Sequence, residues 1–232
     1  MSSGAQFVVL MELDRLVGVP YPDHAYGGKD VWQHTMEVLQ IVSQMTSDTK
    51  VRWAAVCHDL AKGVTPQKEW LMHYDYERKS KELAEQLSKR LKTSRESKEL
   101  AVLVANLHMR FHRLQEIPAE KVVKLLNEID ARRRPERLLQ FSMVCEADGM
   151  SKQGEKFQSL HTQWSKYFLF RAARETCGVD VSDLVEAGVS GKRMKQMVHQ
   201  RKVSAVKRVR AEMKKESRYA LERAEKIGAG YL

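Results

Sequence analysis

The chain has 232 residues, 43% of them hydrophobic, with 40 Lys and Arg against 30 Asp and Glu and a net charge of +10. That length holds one large domain with a full core, or a domain with an extension, and no stretch approaches the apolar run of a membrane-spanning helix. The patch Phe7 to Met11 lacks the basic start and cleavage site of a signal peptide, and Cys57, Cys145 and Cys177, odd in number and far apart, exclude a disulfide framework and point to reduced thiols in a cytoplasm.

Helix is predicted throughout, which makes the fold all-α. Asp30-Val-Trp-Gln33 has the form of a capping box, and Val31, Val38, Leu39, Ile41, Val42 and Met45 follow at helical spacing. Asp48 is the expected cap of a second helix carrying Val51, Ala55, Val56 and Leu60, ended by Gly63 and Pro66. Leu83, Leu87 and Leu91 mark a third. Thr93 to Glu96 reads as another capping box, opening a helix through Leu100, Leu103, Val104, Leu107 and Phe111. Pro118 starts the next, and Pro135 suits the first turn of the helix that ends in "VCEAD". A polar stretch after Gly149 marks the expected boundary, then come an amphipathic helix through Leu160, Trp164 and Phe168, a short turn ending at Gly188, and a long helix from about Lys192. The expected organisation is a leader over 1–29, a helical domain over 30–150 and a basic helical extension over 151–232.

The excess charge is local. From Lys192 to Arg218 there are eleven Lys or Arg and two Glu, a balance of +9. A basic helix of this kind is the usual footprint of a nucleic-acid partner, though a solvated helix face reads the same way.

The chemistry-bearing residues lie in the first part. His34 is on the first core helix, and His58 and Asp59 are adjacent in "AAVCHDLAKG" after an apolar run. His108 and His112 are four apart on one helical face, and Asp148 ends "CEAD". Burying an unpaired charge is costly, so a carboxylate in such a run needs a partner or an exit to water. Imidazole nitrogens with carboxylate oxygens suit Zn²⁺, Mn²⁺, Fe²⁺, Ni²⁺ or Co²⁺.

The order His34, His58-Asp59, Asp148 resembles the metal-binding signature of the HD superfamily of phosphohydrolases. Within it, "LVGVP", "VRWAAVCHDLAKGVTP", "ELAVLVANLH", "VVKLLNEIDARRRPER", "CEAD" and "EAGVSGKRMKQMVHQRKVSAV" resemble, in order, the C-terminal half of bacterial CCA-adding enzymes, the tRNA nucleotidyltransferases that carry an HD domain. The resemblance covers about Leu16 to Val206. It implies that His34, His58, Asp59 and Asp148 hold one divalent metal ion (Ni, Mg, Mn or Co). The implied activity is hydrolysis of 2′,3′-cyclic phosphodiesters and terminal 2′- or 3′-phosphates of nucleotides or RNA 3′ ends, with tRNA as a partner.

Asp59, Lys62, His108 and His112 are the catalytic candidates, and His73, Arg134 and Arg137 the candidates for holding substrate phosphate. For Lys62, a residue near a helix C-terminus favoured by the dipole is an equally good reading. Lys192, Arg193, Lys195, Arg201 and Lys202 are the RNA-binding candidates. Many HD domains have a Gly-His turn where this chain has Asp75 and Tyr76, which argues against a two-metal centre. Nothing before Asp30 supplies the paired aspartates of a nucleotide-adding domain, and Met1 with its short leader favours a free-standing hydrolase. The alternatives are an HD module that holds tRNA without catalysis and an HD hydrolase of another phosphoester, such as a cyclic-nucleotide signal.

Overall fold

The computed structural model describes residues 10–20, 28–70, 76–151 and 155–229. A short helix α1 (Met11–Asp14) precedes α2 (Val31–Met45), whose start is the expected capping box. Asp30 Oδ1 accepts the Gln33 amide N–H at 2.8 Å, and Gln33 Oε1 accepts the Asp30 amide N–H at 3.1 Å. Asp30 Oδ2 takes the Gly18 amide at 2.8 Å, which ties the approach segment to the helix start. Among the described residues there is no β-strand, only an isolated bridge between Pro20 and Asp30.

Asp48 caps α3 (Thr49–Cys57) by accepting the Lys50 amide at 2.9 Å. The expected helix through Leu60 is shorter in the structure. The Lys62 amide bonds back three residues to the Asp59 carbonyl, and the chain tightens into 3-10 turns over Leu60–Val64 and Gln67–Glu69. His58 and Asp59 sit at this change of pitch and are buried, so neither side chain reaches water.

Four further helices follow: α4 (Tyr76–Arg90), α5 (Arg95–His112), α6 (Ala119–Ile129) and α7 (Pro135–Met150). The cap of α5 is Ser94 rather than Thr93. Ser94 Oγ accepts the Ser97 amide at 3.1 Å, and the Thr93 hydroxyl instead donates to the Ser88 carbonyl at 3.4 Å. Asp130 closes α6 in the left-handed region at φ 64. The last elements are α8 (Glu155–Cys177), α9 (Ser182–Glu186) and the long α10 (Gly191–Ala229).

Helix α5 is the centre of the packing, with α3, α4 and α7 against it, and α2 covers α3 and α7. Phe111 at its end is fully buried and meets Phe141 of α7 edge to face, with ring centroids 6.4 Å apart. One apolar cluster continues past residue 150, taking in Phe168, Leu169, Val206 and Met213. Helix α10 is therefore packed on α6 and α8, not merely tethered. Its Arg210 donates to the carbonyls of Leu114 and Ile117 at 3.0 and 2.8 Å, stitching α10 to the turn after α5.

Gly149 is what lets α8 approach α7 beside Asp148. A Cβ there would lie 2.3 Å from Thr162 Oγ1 and 3.0 Å from its Cγ2. Gly149→Ala is expected to cost about 1–3 kcal/mol through overpacking. That lowers the melting temperature by about 2–4 °C per kcal/mol. Adding Thr162→Ala should recover part of the loss in a thermal melt. A Gly149→Ala protein as stable as the parent would show that the contact yields without cost.

Candidate metal centre

Three core helices and a 3-10 turn deliver the site. His34 comes from the first turn of α2, His58 and Asp59 from the break after α3, His108 and His112 from the last turns of α5, and Asp148 from the last turn of α7. All are buried except His112, whose side chain is 11% exposed. Among the described residues, His34, His58 and Asp148 offer ligand atoms that all lie within 4.8 Å of one another.

His34 Nε2 lies 3.3 Å from His58 Nε2, 3.2 Å from Asp148 Oδ1 and 4.0 Å from Asp59 Oδ2. His58 Nε2 is 3.2 Å from Asp59 Oδ2. Atoms bound to one cation at about 2.0–2.2 Å stand roughly 3–3.5 Å apart, so His34 has the spacing to His58 and to Asp148 that a single divalent ion requires, while Asp59, 4.0 Å from His34, meets the set through His58. The ring orientations agree. His58 Nδ1 is 2.7 Å from the Ala55 carbonyl, which only accepts, so Nδ1 carries the proton and Nε2 is the nitrogen turned inward. His34 Nδ1 is likewise held, 3.1 Å from Ser151 Oγ. Two inward nitrogens 3.3 Å apart need a positive centre between them, either one shared proton or a cation. The residues fit a divalent metal.

Electrostatics follow the same geometry. Burial, with the neighbouring His58 adding to it, lowers the His34 pKa, although Asp148 and Asp59 oppose this. Burial also works against a charged His58, but the neighbouring carboxylates Asp59 and Asp148 overcome it and raise its pKa. Burial opposes ionisation of Asp59 too. The Lys62 ammonium and His58 beside it win, and hold the carboxyl well below the usual range. Any proton on His58 has to leave before a cation binds, so cation affinity rises with pH through that titration.

Lys62 Nζ lies 2.7 Å from Asp59 Oδ2 and 5.3 Å from the centre of the Tyr76 ring. It is thus held between the Asp59 carboxylate and the Tyr76 ring. His108 Nε2 is 3.4 Å from Asp59 Oδ1, and His112 Nε2 is 2.6 Å from Asp148 Oδ2. Each carboxylate therefore turns one oxygen to His34 and His58 and the other to the α5 histidines.

Arg134 and Arg137 are not brought to this centre. They sit at the start of α7, and the eleven residues from 137 to 148 span about 16 Å of helix. With Arg95 they converge on Glu99, at 3.1, 2.6 and 2.8 Å, and hold its pKa at about 2. His73 and Asp75 lie outside the described residues. On α10, Lys192, Arg193 and Lys195 are exposed, whereas Arg201 is engaged with the Asp183 carboxylate and the Asp180 carbonyl. Lys202 borders a groove with Arg132 and Arg133. Ser151, beside His34, was missed in the sequence because no motif marks a serine one turn beyond an aspartate.

Residues 31–133 match the HD domain family, so the chain carries an HD domain. That span holds His34, His58, Asp59, His108 and His112, and Asp148 lies beyond it. The chain is also homologous to the C-terminal half of multifunctional CCA proteins. It is 37% identical over 204 residues to the multifunctional CCA protein of Nitrosococcus oceani, covering 88% of this chain and 50% of the relative. It is 36% identical over 210 residues to that of Thioalkalivibrio sulfidiphilus, covering 90% and 50%. A third, from Hahella chejuensis, is 35% identical over 201 residues, covering 86% and 47%. The chain spans about half the length of the curated relatives it matches.

Proposed function

We propose that this chain is a metal-dependent phosphohydrolase that cleaves 2′,3′-cyclic phosphodiesters and terminal 2′- or 3′-phosphates of nucleotides or RNA ends. The observation that carries the reading is the convergence of His34, His58 and Asp148 at single-ion spacing, with the Asp59 carboxylate against His58 and further histidines beside it. The similarity to multifunctional CCA proteins supports an RNA 3′ end, tRNA foremost, as the setting. Free cysteines at 57, 145 and 177 fit a cytoplasmic enzyme, and no helix among the described residues is long and apolar enough to cross a membrane.

A divalent cation held here would supply Lewis acidity toward a phosphoryl oxygen and make water more acidic. The protein's own groups divide the remaining work. Asp59 and Asp148 would provide the negative charge that retains the ion, and the inward Nε2 atoms of His34 and His58 would join them in holding it. His112, the most exposed of the site histidines, is the proposed proton donor to a leaving ribose oxygen, a role in which its Nε2 would give up its contact with Asp148 Oδ2. Lys62 keeps a fixed positive charge beside Asp59, available to a phosphoryl group if it swings away from the carboxylate. One ion per chain is the proposed stoichiometry, because Tyr76 offers a ring face to Lys62 rather than a ligand nitrogen.

A substrate panel tests the reading: 2′,3′-cyclic AMP, 2′-AMP and 3′-AMP against 3′,5′-cyclic AMP and ATP, each with Mg²⁺, Mn²⁺, Ni²⁺ or Co²⁺. Turnover confined to the first three supports it. Preference for 3′,5′-cyclic AMP or ATP would replace it with hydrolysis of another phosphoester.

The basic face of α10 is proposed to hold RNA through phosphates. Since Arg201 is already paired, Lys192, Lys195 and Lys202 are the residues to reverse. Changing all three to Glu is expected to weaken tRNA binding and to flatten the dependence of log K on log salt by about 2 or more. Hydrolysis of a mononucleotide should be unchanged. Parallel loss of both would contradict this division of labour.

A further inference from the structure

We propose that Ser151 is a positioning residue for the metal centre: its hydroxyl fixes His34 as the Nδ1–H tautomer and so reserves the His34 Nε2 lone pair for the cation. The inference rests on the reading of a metal centre and adds to it a residue that no motif assigns.

Ser151 is buried, at the end of α7, and its hydroxyl has a single proton. That proton is donated to the Asp148 carbonyl at 2.8 Å, and a carbonyl cannot donate in return. With that proton on the carbonyl, the second contact of Ser151 Oγ, to His34 Nδ1 at 3.1 Å, is assigned as one in which the oxygen accepts and the imidazole donates. On this assignment His34 carries its proton on Nδ1. Its Nε2, 3.3 Å from His58 Nε2 and 3.2 Å from Asp148 Oδ1, faces the centre with its lone pair.

The alternative tautomer is close at hand, which gives Ser151 something to prevent. With the proton on Nε2, His34 would donate to Asp148 Oδ1, and the two ligands would satisfy each other instead of an ion. His58 does not face this choice, because its Nδ1 is held by the backbone carbonyl of Ala55. Of the two inward histidines, His34 is therefore the one whose orientation depends on a side chain. Ser151 lies three residues after Asp148, so one turn of chain couples a ligand on α7 to a ligand on α2.

The test compares the full chain with Ser151→Ala and Ser151→Thr. The first readout is the histidine ¹⁵N spectrum of metal-free protein, which distinguishes the two tautomers. The second is Co²⁺ affinity, followed by visible absorption in competition with a chelator. The parent is expected to show His34 as the Nδ1–H form, and Ser151→Ala to shift it to the Nε2–H form or a mixture. Co²⁺ affinity should then fall by about 10–100-fold, the usual effect of losing an outer partner of a metal-bound histidine. Ser151→Thr, which keeps the hydroxyl, should restore most of both.

An unchanged His34 tautomer in a folded Ser151→Ala protein would overturn the proposal, as would Co²⁺ affinity within twofold of the parent. If the parent itself bound no Co²⁺, the metal reading would fail. The tautomer readout would still decide the role of Ser151, since it is taken without metal.

Discussion

Asp59→Asn is expected to lower kcat/KM for 2′,3′-cyclic AMP by about 10³-fold or more, because an ion at the centre contributes several kcal/mol of charge stabilisation and each 1.36 kcal/mol is a factor of ten. The substitution keeps the shape of the side chain and removes its charge. Asp59 Oδ2 is 3.2 Å from His58 Nε2 and 4.0 Å from His34 Nε2, so the lost charge is one the ion would contact. Circular dichroism would establish that the variant is folded. The decisive comparison is turnover at saturating Mn²⁺, where a defect in affinity is overcome but a defect in the bound state is not. Activity within tenfold of the parent under those conditions would remove Asp59 from the catalytic set.

The second large effect concerns Lys62. Its ammonium lies 2.7 Å from Asp59 Oδ2, with side-chain exposures of 8% and 1%. Lys62→Met preserves the length of the side chain and takes away the nearest full charge. Removing one partner of a buried pair costs about 3–5 kcal/mol. In a chain of this size that is a fall in melting temperature of roughly 10 °C. A cation at the centre supplies positive charge to the same carboxylate, so Mn²⁺ should raise the melting temperature of Lys62→Met more than that of the parent.

The sign with pH follows from the Asp59 pKa, which is depressed in the folded state. Stability from this carboxylate is present above its unfolded pKa and lost as pH falls through the folded one. The Lys62→Met deficit should accordingly be largest near neutrality and shrink in strong acid. A variant that melts with the parent in the absence of metal would show that Lys62 is not what stabilises the Asp59 charge.

Much of this site is visible in the chain because its order is linear. The capping box at Asp30 sets the phase of α2, and that phase puts His34 on the buried face with Val31 and Val38. Adjacent His58 and Asp59 after an apolar run, and a pair at i and i+4 on α5, are spacings that survive without coordinates. What the spacing could not show is that α3 ends at Cys57. The 3-10 turn that follows buries both side chains instead of releasing them to water.

Contacts between elements were less legible. The pairing of Arg134 and Arg137 with Glu99 depends on α5 lying beside the start of α7, and no local signal reports it. The sequence offers these two arginines to substrate phosphate, whereas in space they close a surface ion cluster. Ser151 shows the converse. A residue with no motif became informative only once His34, 117 positions earlier, was seen against its hydroxyl. The basic helix was legible as charge, but its docking through Arg210, Val206 and Met213 required the three-dimensional core.

Dependence of the activity on a bound ion is read from hydrolysis of 2′,3′-cyclic AMP by the full chain, stripped of metal by a chelator and then resupplied with Mg²⁺, Mn²⁺, Ni²⁺ or Co²⁺ in turn. No turnover is expected after stripping, and recovery is expected with at least one of these ions, saturating near one ion per chain. Turnover that persists unchanged in the stripped protein, or protein that binds the ions and hydrolyses nothing, would contradict it.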